Sequence, residues 1–324
     1  MIDVTLQNFE SEVLQASMNA PVLLDIWAEW CGPCKQLGPA LEQLEAEYGG
    51  RFTLAKLDAD KVPQIAGQLS QMLGVRSIPL CVLFKGGQPV DAFVGAQPAA
   101  QIRQFLDKHV PSEGALAAEE EVNEAEALLE SGDTEAALAK LADALAQDPG
   151  NDDARADYAR LLIATGATEE AAAVLEEPLK REPLPLRFEA LRRWLDAIRF
   201  VQQHERGNWP IPQFDDLIAQ NKRDFDTRYQ KAQALMAEGQ WTQAMDELLE
   251  IVMRDKKWND EAARKTYVAI LELLTPPPQK AGPGAAGKSA GGIELTGKAA
   301  AAAAHDPQSE LLSGYRRKLS MALN

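Results

Sequence analysis

The chain of 324 residues contains only three cysteines and three histidines. A zinc site needs four clustered ligands, and the histidines stand far apart at positions 109, 204 and 305, so we expect no metal. The first ten residues lack the basic and then apolar stretch of a secretory signal, and no apolar run reaches the roughly 18 residues that span a bilayer. We therefore expect a cytoplasmic protein, in which paired cysteines are usually catalytic or metal-bound.

Basic side chains are scarce in the middle of the chain. Residues 111–177 hold 3 basic and 18 acidic side chains, whereas residues 1–110 hold 8 and 12, and residues 178–324 hold 22 and 19. An acidic middle region argues against nucleic acid or an anionic membrane as the main partner. The length and the 46% of hydrophobic residues are typical of a soluble globular protein with two or three domains.

Residues 1–110 alternate between short apolar runs and helical patterns. The predicted strands are Val22–Trp27, Phe52–Leu57, Leu80–Phe84 and Val90–Val94. A helical pattern follows the first strand, and two more cover Lys61–Leu73 and Ala99–His109. Gly86-Gly87 between the last two strands indicates a hairpin. This order predicts a small mixed α/β sheet with helices on both faces.

The sequence Trp30-Cys31-Gly32-Pro33-Cys34 stands between the first strand and the first helix, and it indicates dithiol–disulfide exchange. The thiolate is the nucleophile, and a position at the start of a helix stabilises the Cys31 thiolate. The two-residue spacer brings Cys34 within reach to resolve a mixed disulfide. We also expect Cys34 to be less accessible than Cys31. A structural pair of core cysteines is the alternative interpretation.

The ten residues Asp25-Ile26-Trp27-Ala28-Glu29-Trp30-Cys31-Gly32-Pro33-Cys34 resemble the active-site block of thioredoxins. The resemblance covers residues 1–110 and implies an α/β thioredoxin fold whose redox-active disulfide, Cys31–Cys34, needs no cofactor. It assigns proton transfer to the resolving cysteine to Asp25, with Lys56 as the partner on the next strand. Independently, a carboxylate inside an apolar strand implies a raised pKa or a partner for Asp25.

The thioredoxin resemblance also implies a substrate-binding surface beside the disulfide. Ile78-Pro79 stands where thioredoxins have a cis-proline facing the active site, and Gly95 matches a glycine that lines their substrate groove. The residues expected to contact substrate are Trp30, Gly32, Pro33, Ile78, Pro79 and Gly95. Leu80 departs from the usual threonine, and Cys81 is not required by the family. Because Cys81 lies in an apolar strand, we interpret it as a buried inert thiol, with a third redox centre as the alternative.

Residues 111–274 are rich in Ala, Leu and Glu, which indicates an all-helical region. When the chain is aligned on Gly132, Gly166 and Gly239, alanine recurs seven residues before each glycine and leucine four before. The first two glycines are 34 residues apart, the period of a tetratricopeptide repeat. The third follows after a longer interval, so we interpret residues 183–229 as extra helices inserted within the array. Such arrays present concave surfaces to other proteins; a scaffold that only positions the first domain is the alternative.

The C-terminal part combines a predicted linker with a predicted helix. Residues 275–305 are rich in Pro, Gly and Ala, which favours a flexible linker. Residues 306–324 have an apolar stripe at helical spacing beside Arg316-Arg317-Lys318. This short amphipathic helix either binds a partner or docks on its own domain.

A thioredoxin domain, tetratricopeptide repeats and a C-terminal Tyr-Arg-Arg-Lys-Leu together resemble the chaperedoxins, bacterial co-chaperones of the GroEL-type chaperonin. The resemblance implies a holdase that binds unfolding proteins, protects or reduces their cysteines by thiol–disulfide exchange and transfers them to the chaperonin. The DnaK chaperone system is a further expected partner. The resemblance places the chaperonin contact on Tyr315, Arg316, Arg317 and Leu319. The alternative is a dedicated protein-disulfide reductase whose repeats dock one specific substrate.

Overall fold

The computed structural model describes residues 1–276 and 307–323, which form two compact units. The first unit is Met1–Leu116, and the second contains the described residues from Ala117 onward. In the part of the chain that the structure describes, no helix has both the length and the apolar character needed to cross a membrane.

The first unit is a five-stranded mixed sheet with helices on both faces. Its strands are β1 (Ile2–Asp3), β2 (Val22–Trp27), β3 (Thr53–Asp58), β4 (Leu80–Lys85) and β5 (Gln88–Val94). They are ordered β1-β3-β2-β4-β5, with β2 parallel to β3 and antiparallel to β4. The helices are α1 (Gly32–Glu47), α2 (Pro63–Leu73) and α3 (Ala99–Leu106). The α/β architecture expected from the sequence is therefore confirmed.

Side chains along β2 point alternately to the two faces of the sheet, so the core of this unit is divided into two apolar clusters. Val22, Leu24 and Ile26 pack in one apolar cluster that includes residues of α2. Leu23 packs on the other face with residues of α1 and α3. Because side chains alternate with a period of two, Asp25 shares the face of Leu23 and lies below α1. The sheet order thus places a carboxylate directly behind the Cys31–Cys34 turn.

Two elements near the N-terminus were not predicted. β1 has only two residues, and the segment Glu10–Gln15 is a π-helix followed by a 3₁₀ turn at Ala16–Met18. Neither is long enough to show a hydrophobic period, so pattern reasoning cannot detect them.

The second unit is all helical. Its helices are α4 (Glu113–Ser131), α5 (Thr134–Gln147), α6 (Asp152–Ala164), α7 (Thr168–Leu175), α8 (Leu186–Gln203), α9 (Ile211–Gln220), α10 (Phe225–Ala237), α11 (Trp241–Arg254), α12 (Trp258–Leu274) and α13 (Pro307–Leu323). Gly132, Gly166 and Gly239 each join two antiparallel helices at a positive φ, of 85°, 83° and 71°. These turns need a residue without a Cβ, which explains why glycine marks each repeat.

The region interpreted as inserted helices, residues 183–229, contains α8, α9 and the start of α10. α8 is a central helix of the unit, because it packs against α6, α7, α10 and α12. Its buried face includes Phe188, Leu191 and Leu195. Most of the predicted linker, residues 275–305, lies outside the described residues. α13 packs on α11 and α12.

Candidate functional site

The two active-site cysteines are joined by a disulfide at the start of α1, with an S–S distance of 2.05 Å. Cys31 is the N-cap residue of α1, and its Sγ accepts a hydrogen bond from the backbone N–H of Cys34 at 3.2 Å. Gly32 and Pro33 form the first turn, where proline is favoured because no hydrogen bond is lost. The N-terminal end of the helix dipole therefore points at the Cys31 sulfur, which favours a thiolate there.

The expected difference in exposure between the two cysteines is wrong for the disulfide form. Cys31 and Cys34 are each 4% exposed. What distinguishes them is their surroundings, because Cys34 lines a partly open cavity and Cys31 caps the helix. Beside them Trp30 is 71% exposed, and its Nε1–H donates to Asp60 Oδ2 at 3.0 Å. An ordered and exposed indole next to a disulfide is suited to contact a protein substrate.

Three predicted substrate residues flank two strands of the sheet: Ile78 and Pro79 directly precede β4, and Gly95 directly follows β5. The Ile78-Pro79 peptide bond is cis, and the Gly95 N–H donates to the Pro79 carbonyl at 2.8 Å. Ile78 packs against the cluster formed by the two cysteines and Ala28. The structure thus brings Ile78 to the disulfide, and Gly95, directly after β5, is hydrogen-bonded to the adjoining Pro79.

Asp25 lies behind the disulfide and is 2% exposed. It lines a cavity of about 190 Å³, whose walls also include Cys34, Glu42 and Lys56. Burial raises the pKa of Asp25 to about 6, and the Lys56 ammonium and the Cys81 thiol oppose this rise. A carboxyl group with this pKa is able to exchange protons at neutral pH, which is what a proton-transfer group beside Cys34 requires.

Glu42 belongs to this cavity and was missed by the sequence analysis. Its carboxylate forms an ion pair with the Lys56 ammonium. A signal was available, since Cys34, Gly38 and Glu42 are spaced four residues apart and therefore share one face of α1. The cavity is thus lined by two carboxylates, Asp25 and Glu42, and by two ammonium groups, Lys35 and Lys56, of which Lys56 pairs with Glu42.

Cys81 is the direct neighbour of Asp25 across the β2–β4 pair. It is fully buried, and its Sγ–H donates to Asp25 Oδ1 at 3.7 Å. Burial, together with the Asp25 carboxyl, raises the pKa of the Cys81 thiol well above its usual value. Cys81 therefore stays protonated as a hydrogen-bond donor. The predicted burial is confirmed, but contact with the proton-transfer group was not foreseen.

The four C-terminal residues predicted to contact a chaperonin lie in two different environments. Tyr315 and Leu319 are each 8% exposed and pack on α11 and α12, where the Tyr267 hydroxyl donates to the Tyr315 carbonyl at 2.8 Å. Arg316 and Arg317 are exposed, and Arg316 donates to the Thr275 hydroxyl at 3.0 Å. The sequence left two alternatives for this helix, binding to a partner or docking on its own domain. In the structure the helix docks on its own unit. A partner role for these residues stays a prediction.

Two kinds of family model match this sequence. The thioredoxin model matches residues 1–108, and two tetratricopeptide-repeat models match residues 128–195 and 204–281. The α/β thioredoxin fold followed by an all-α repeat domain, as expected from the sequence, is confirmed. The first repeat match includes part of α8, so the predicted insertion at residues 183–229 overlaps a repeat. Among residues 1–276 and 307–323, no group of His, Cys, Asp and Glu side chains is arranged to hold a metal ion.

Individual thioredoxins are similar to the first unit alone. A thioredoxin of Chlorobaculum thiosulfatiphilum is 45% identical over 108 residues, which are 33% of this chain and 94% of the relative. Thioredoxin 1 of Nostoc sp. is 43% identical over 107 residues, again 33% of this chain and 94% of the relative. A bifunctional thioredoxin reductase/thioredoxin of Mycobacterium leprae is 45% identical over 111 residues, 34% of this chain and 23% of that protein. The chain therefore belongs to the thioredoxin family, and it joins a thioredoxin-type redox domain to tetratricopeptide repeats.

Proposed function

We propose that the chain is a redox-active co-chaperone, which holds unfolding proteins in the cytoplasm, exchanges disulfides with their cysteines and transfers them to a GroEL-type chaperonin. The observation that supports this most is the presence, in one chain, of a dithiol centre and a helical repeat unit with its own open groove. A general thioredoxin needs only the first of these. The DnaK chaperone system is a further proposed partner. Nucleic acid and membranes are not proposed as partners.

In the disulfide form, the proposed reaction begins with a client thiolate. It attacks Cys31 Sγ, so that a client–Cys31 disulfide forms and the Cys31–Cys34 bond breaks, with Cys34 leaving as a thiolate. Asp25 supplies or accepts the Cys34 proton through the cavity behind the disulfide. In the dithiol form, the Cys31 thiolate attacks a client disulfide instead, which forms the same kind of mixed disulfide and releases the second client sulfur as a thiolate. In both cases the Cys34 thiolate then attacks Cys31 Sγ, which releases the client thiolate and restores the Cys31–Cys34 disulfide. The client cysteine is thereby covered while the mixed disulfide lasts.

A second candidate function is a dedicated protein-disulfide reductase, whose repeats dock one substrate. The observation that favours it is the complete redox site, since both cysteines, Asp25 and Lys56 are present together. Both functions use the same chemistry. They differ in whether the chain protects a broad range of unfolding proteins from aggregation.

The proposed function is tested with the Cys34→Ala variant. Without the resolving thiol, mixed disulfides between Cys31 and clients should accumulate, and they should disappear when dithiothreitol is added. The wild-type chain should also suppress aggregation of chemically denatured citrate synthase, a protein unrelated to any dedicated substrate. Adducts without aggregation suppression would favour the dedicated reductase. The absence of thiol-sensitive adducts would contradict Cys31 as the nucleophile.

The proposed chaperonin contact is tested by deleting residues 306–324. The deletion should abolish capture of the chain by immobilised GroEL-type chaperonin, while insulin reduction stays at the wild-type rate. Because Tyr315 and Leu319 are buried against α11 and α12, Arg316→Ala/Arg317→Ala is the sharper variant, as it changes two exposed charges. Undiminished capture by both variants would remove the C-terminal helix from the proposal.

A further inference from the structure

A groove of about 500 Å³ opens within the second unit. Five helices and the start of α11 contribute to its walls, and the lining is mostly apolar. The apolar lining residues are Val122, Ala125, Leu129, Leu141, Leu161, Ala164, Trp194, Trp241, Leu273 and Leu274. A groove of this size and composition falls in the range of binding clefts in proteins, and it has room for a few apolar side chains.

The groove keeps large apolar side chains open to solvent. Leu129 on α4 is 41% exposed, although it faces a lining that is otherwise apolar. Trp194 and Trp241 meet edge to face, with ring centroids 5.5 Å apart, and both remain partly exposed. Rigid indole rings provide contact area with little loss of side-chain entropy on binding.

Two carboxylates stand in the same groove, Glu126 on α4 and Asp157 on α6. Neither forms an ion pair with any residue in the described ranges 1–276 and 307–323. The nearby Arg160 guanidinium donates to the Leu273 carbonyl at 3.2 Å. The apolar surroundings raise the pKa of Asp157, the Arg160 and Arg187 guanidinium groups oppose this rise, and the Asp153 and Glu126 charges add to it. A bound cation would relieve this repulsion between the two carboxylates.

We propose that the groove binds an apolar segment of a non-native protein, and that a lysine or arginine of this segment pairs with Glu126 and Asp157. The proposal rests on the proposed co-chaperone function and specifies the chemical character of the client segment that is bound. The occupant follows from charge complementarity. The charged lining consists of two carboxylates without an ion pair and one guanidinium, that of Arg160, which leaves an excess of negative charge. In a region with 18 acidic and 3 basic side chains, such an apolar cleft favours cationic apolar ligands. An unfolding protein exposes such segments because its core side chains leave their neighbours.

The test uses the full-length chain and two fluorescein-labelled peptides of equal length. Each peptide carries three leucines, and one has a lysine where the other has a glutamate. Fluorescence polarisation should show that the wild-type chain binds the lysine peptide about tenfold more tightly. The double variant Glu126→Gln/Asp157→Asn should bind both peptides within about twofold of each other, since the charge preference is lost but the apolar walls remain.

A matched control has the same change of charge outside the groove. Glu130→Gln/Asp143→Asn removes two exposed carboxylates from α4 and α5 that do not line the groove. This variant should keep the full preference for the lysine peptide, so a general loss of negative charge is distinguished from a local one. The variant Leu129→Gln should weaken the binding of both peptides by about the same factor. Circular dichroism checks that the variant keeps its fold.

The outcomes separate this proposal from the proposed function. If the wild-type chain binds both peptides equally, or if Glu126→Gln/Asp157→Asn keeps the preference, the groove proposal is wrong, whether or not the chain suppresses aggregation. If the charge preference behaves as expected but citrate synthase still aggregates in the presence of the chain, the groove stands and the holdase function fails.

Discussion

Asp25 is a buried carboxyl group whose neighbours act on its charge in opposite directions. Burial disfavours the carboxylate, whereas the Lys56 ammonium and the Cys81 thiol favour it. The resulting pKa of about 6 places its titration within the physiological range. A conservative substitution at Asp25 should therefore change how the free energy of unfolding depends on pH, and one at Cys81 should shift the titration of Asp25. The direction of each change follows from these opposing contributions.

The first prediction concerns Asp25→Asn and the free energy of unfolding. Between pH 3.8 and about 6 the folded chain holds a proton on Asp25 that the unfolded chain has released, so this carboxyl destabilises the fold as pH rises. The stability of the variant relative to wild type should increase by about 2 kcal/mol from pH 4 to pH 7 and stay nearly constant above. Urea unfolding at each pH measures it, and a difference that does not vary with pH would contradict the raised pKa.

The second prediction concerns Cys81→Val, which removes the thiol donor and keeps an apolar side chain, larger by about one methyl group, at this buried position. Because the Cys81 hydrogen bond lowers the pKa of Asp25, its loss should raise that pKa further. Carbon-13 shifts of the Asp25 carboxyl, followed against pH, measure the change directly. Cys81→Ser is the control, because its hydroxyl can still donate. An unchanged Asp25 titration in the valine variant would mean that the thiol only fills space.

The sequence predicts which residues belong to this site better than it predicts the contacts between them. Cys31, Cys34 and Asp25 are close in the chain, so a short motif carries them. Glu42 lies on the same face of α1 as Cys34, eight residues further along, and could have been found by this spacing. The contact of Cys81 with Asp25 depends on the β2–β4 register, which is set by the order of the strands in the sheet and has no local signal.

Among the elements, α13 is the one whose place could not be predicted. Its apolar stripe shows that one face is covered, but a stripe does not identify what covers it. The structure fills that face with α11 and α12, and Gln308 donates to the Leu274 carbonyl at 2.8 Å. Since Leu273 and Leu274 line the groove, α13 holds the end of one groove wall in place.

The third prediction concerns Leu312→Ala/Leu319→Ala, which weakens the buried face of α13. Each truncation of a leucine in a full core costs roughly 2 to 5 kcal/mol, so the helix should detach at equilibrium. Hydrogen exchange should become faster in α13 and at the end of α12, and the affinity of the groove for the lysine peptide should fall. The control is Leu311→Ala/Met321→Ala, which alters exposed residues of the same helix. Equal exchange rates in the two variants would contradict the docking.

At the scale of the whole molecule, the redox centre and the groove belong to different units. The disulfide lies within Met1–Leu116, and every groove residue follows Ala117. The fold of each unit could be predicted because each has its own sequence signal: short apolar runs between helical patterns in the first unit, and a 34-residue repeat in the second. The groove could not, since its walls come from helices that are distant in the chain.

The fourth prediction follows from this separation. The variant Cys31→Ser/Cys34→Ser should lose insulin reduction completely and keep suppression of citrate synthase aggregation, because holding depends on surface contacts of the second unit. Light scattering at equal chain concentrations makes the comparison. Loss of suppression in this variant would show that clients are captured through the disulfide instead.

The contacts of Gln308 and Arg316 with Leu274 and Thr275 bring the chain back to the point that it left. The start of α13 therefore lies beside the end of α12, although the two helices are far apart in the sequence. The entropy of bringing two distant points of a chain together rises only with the logarithm of their separation, by about 0.6 kcal/mol for each doubling. The contacts of α13 with α11 and α12 thus decide how firmly this helix is held, much more than the number of residues that separates it from α12 in the sequence.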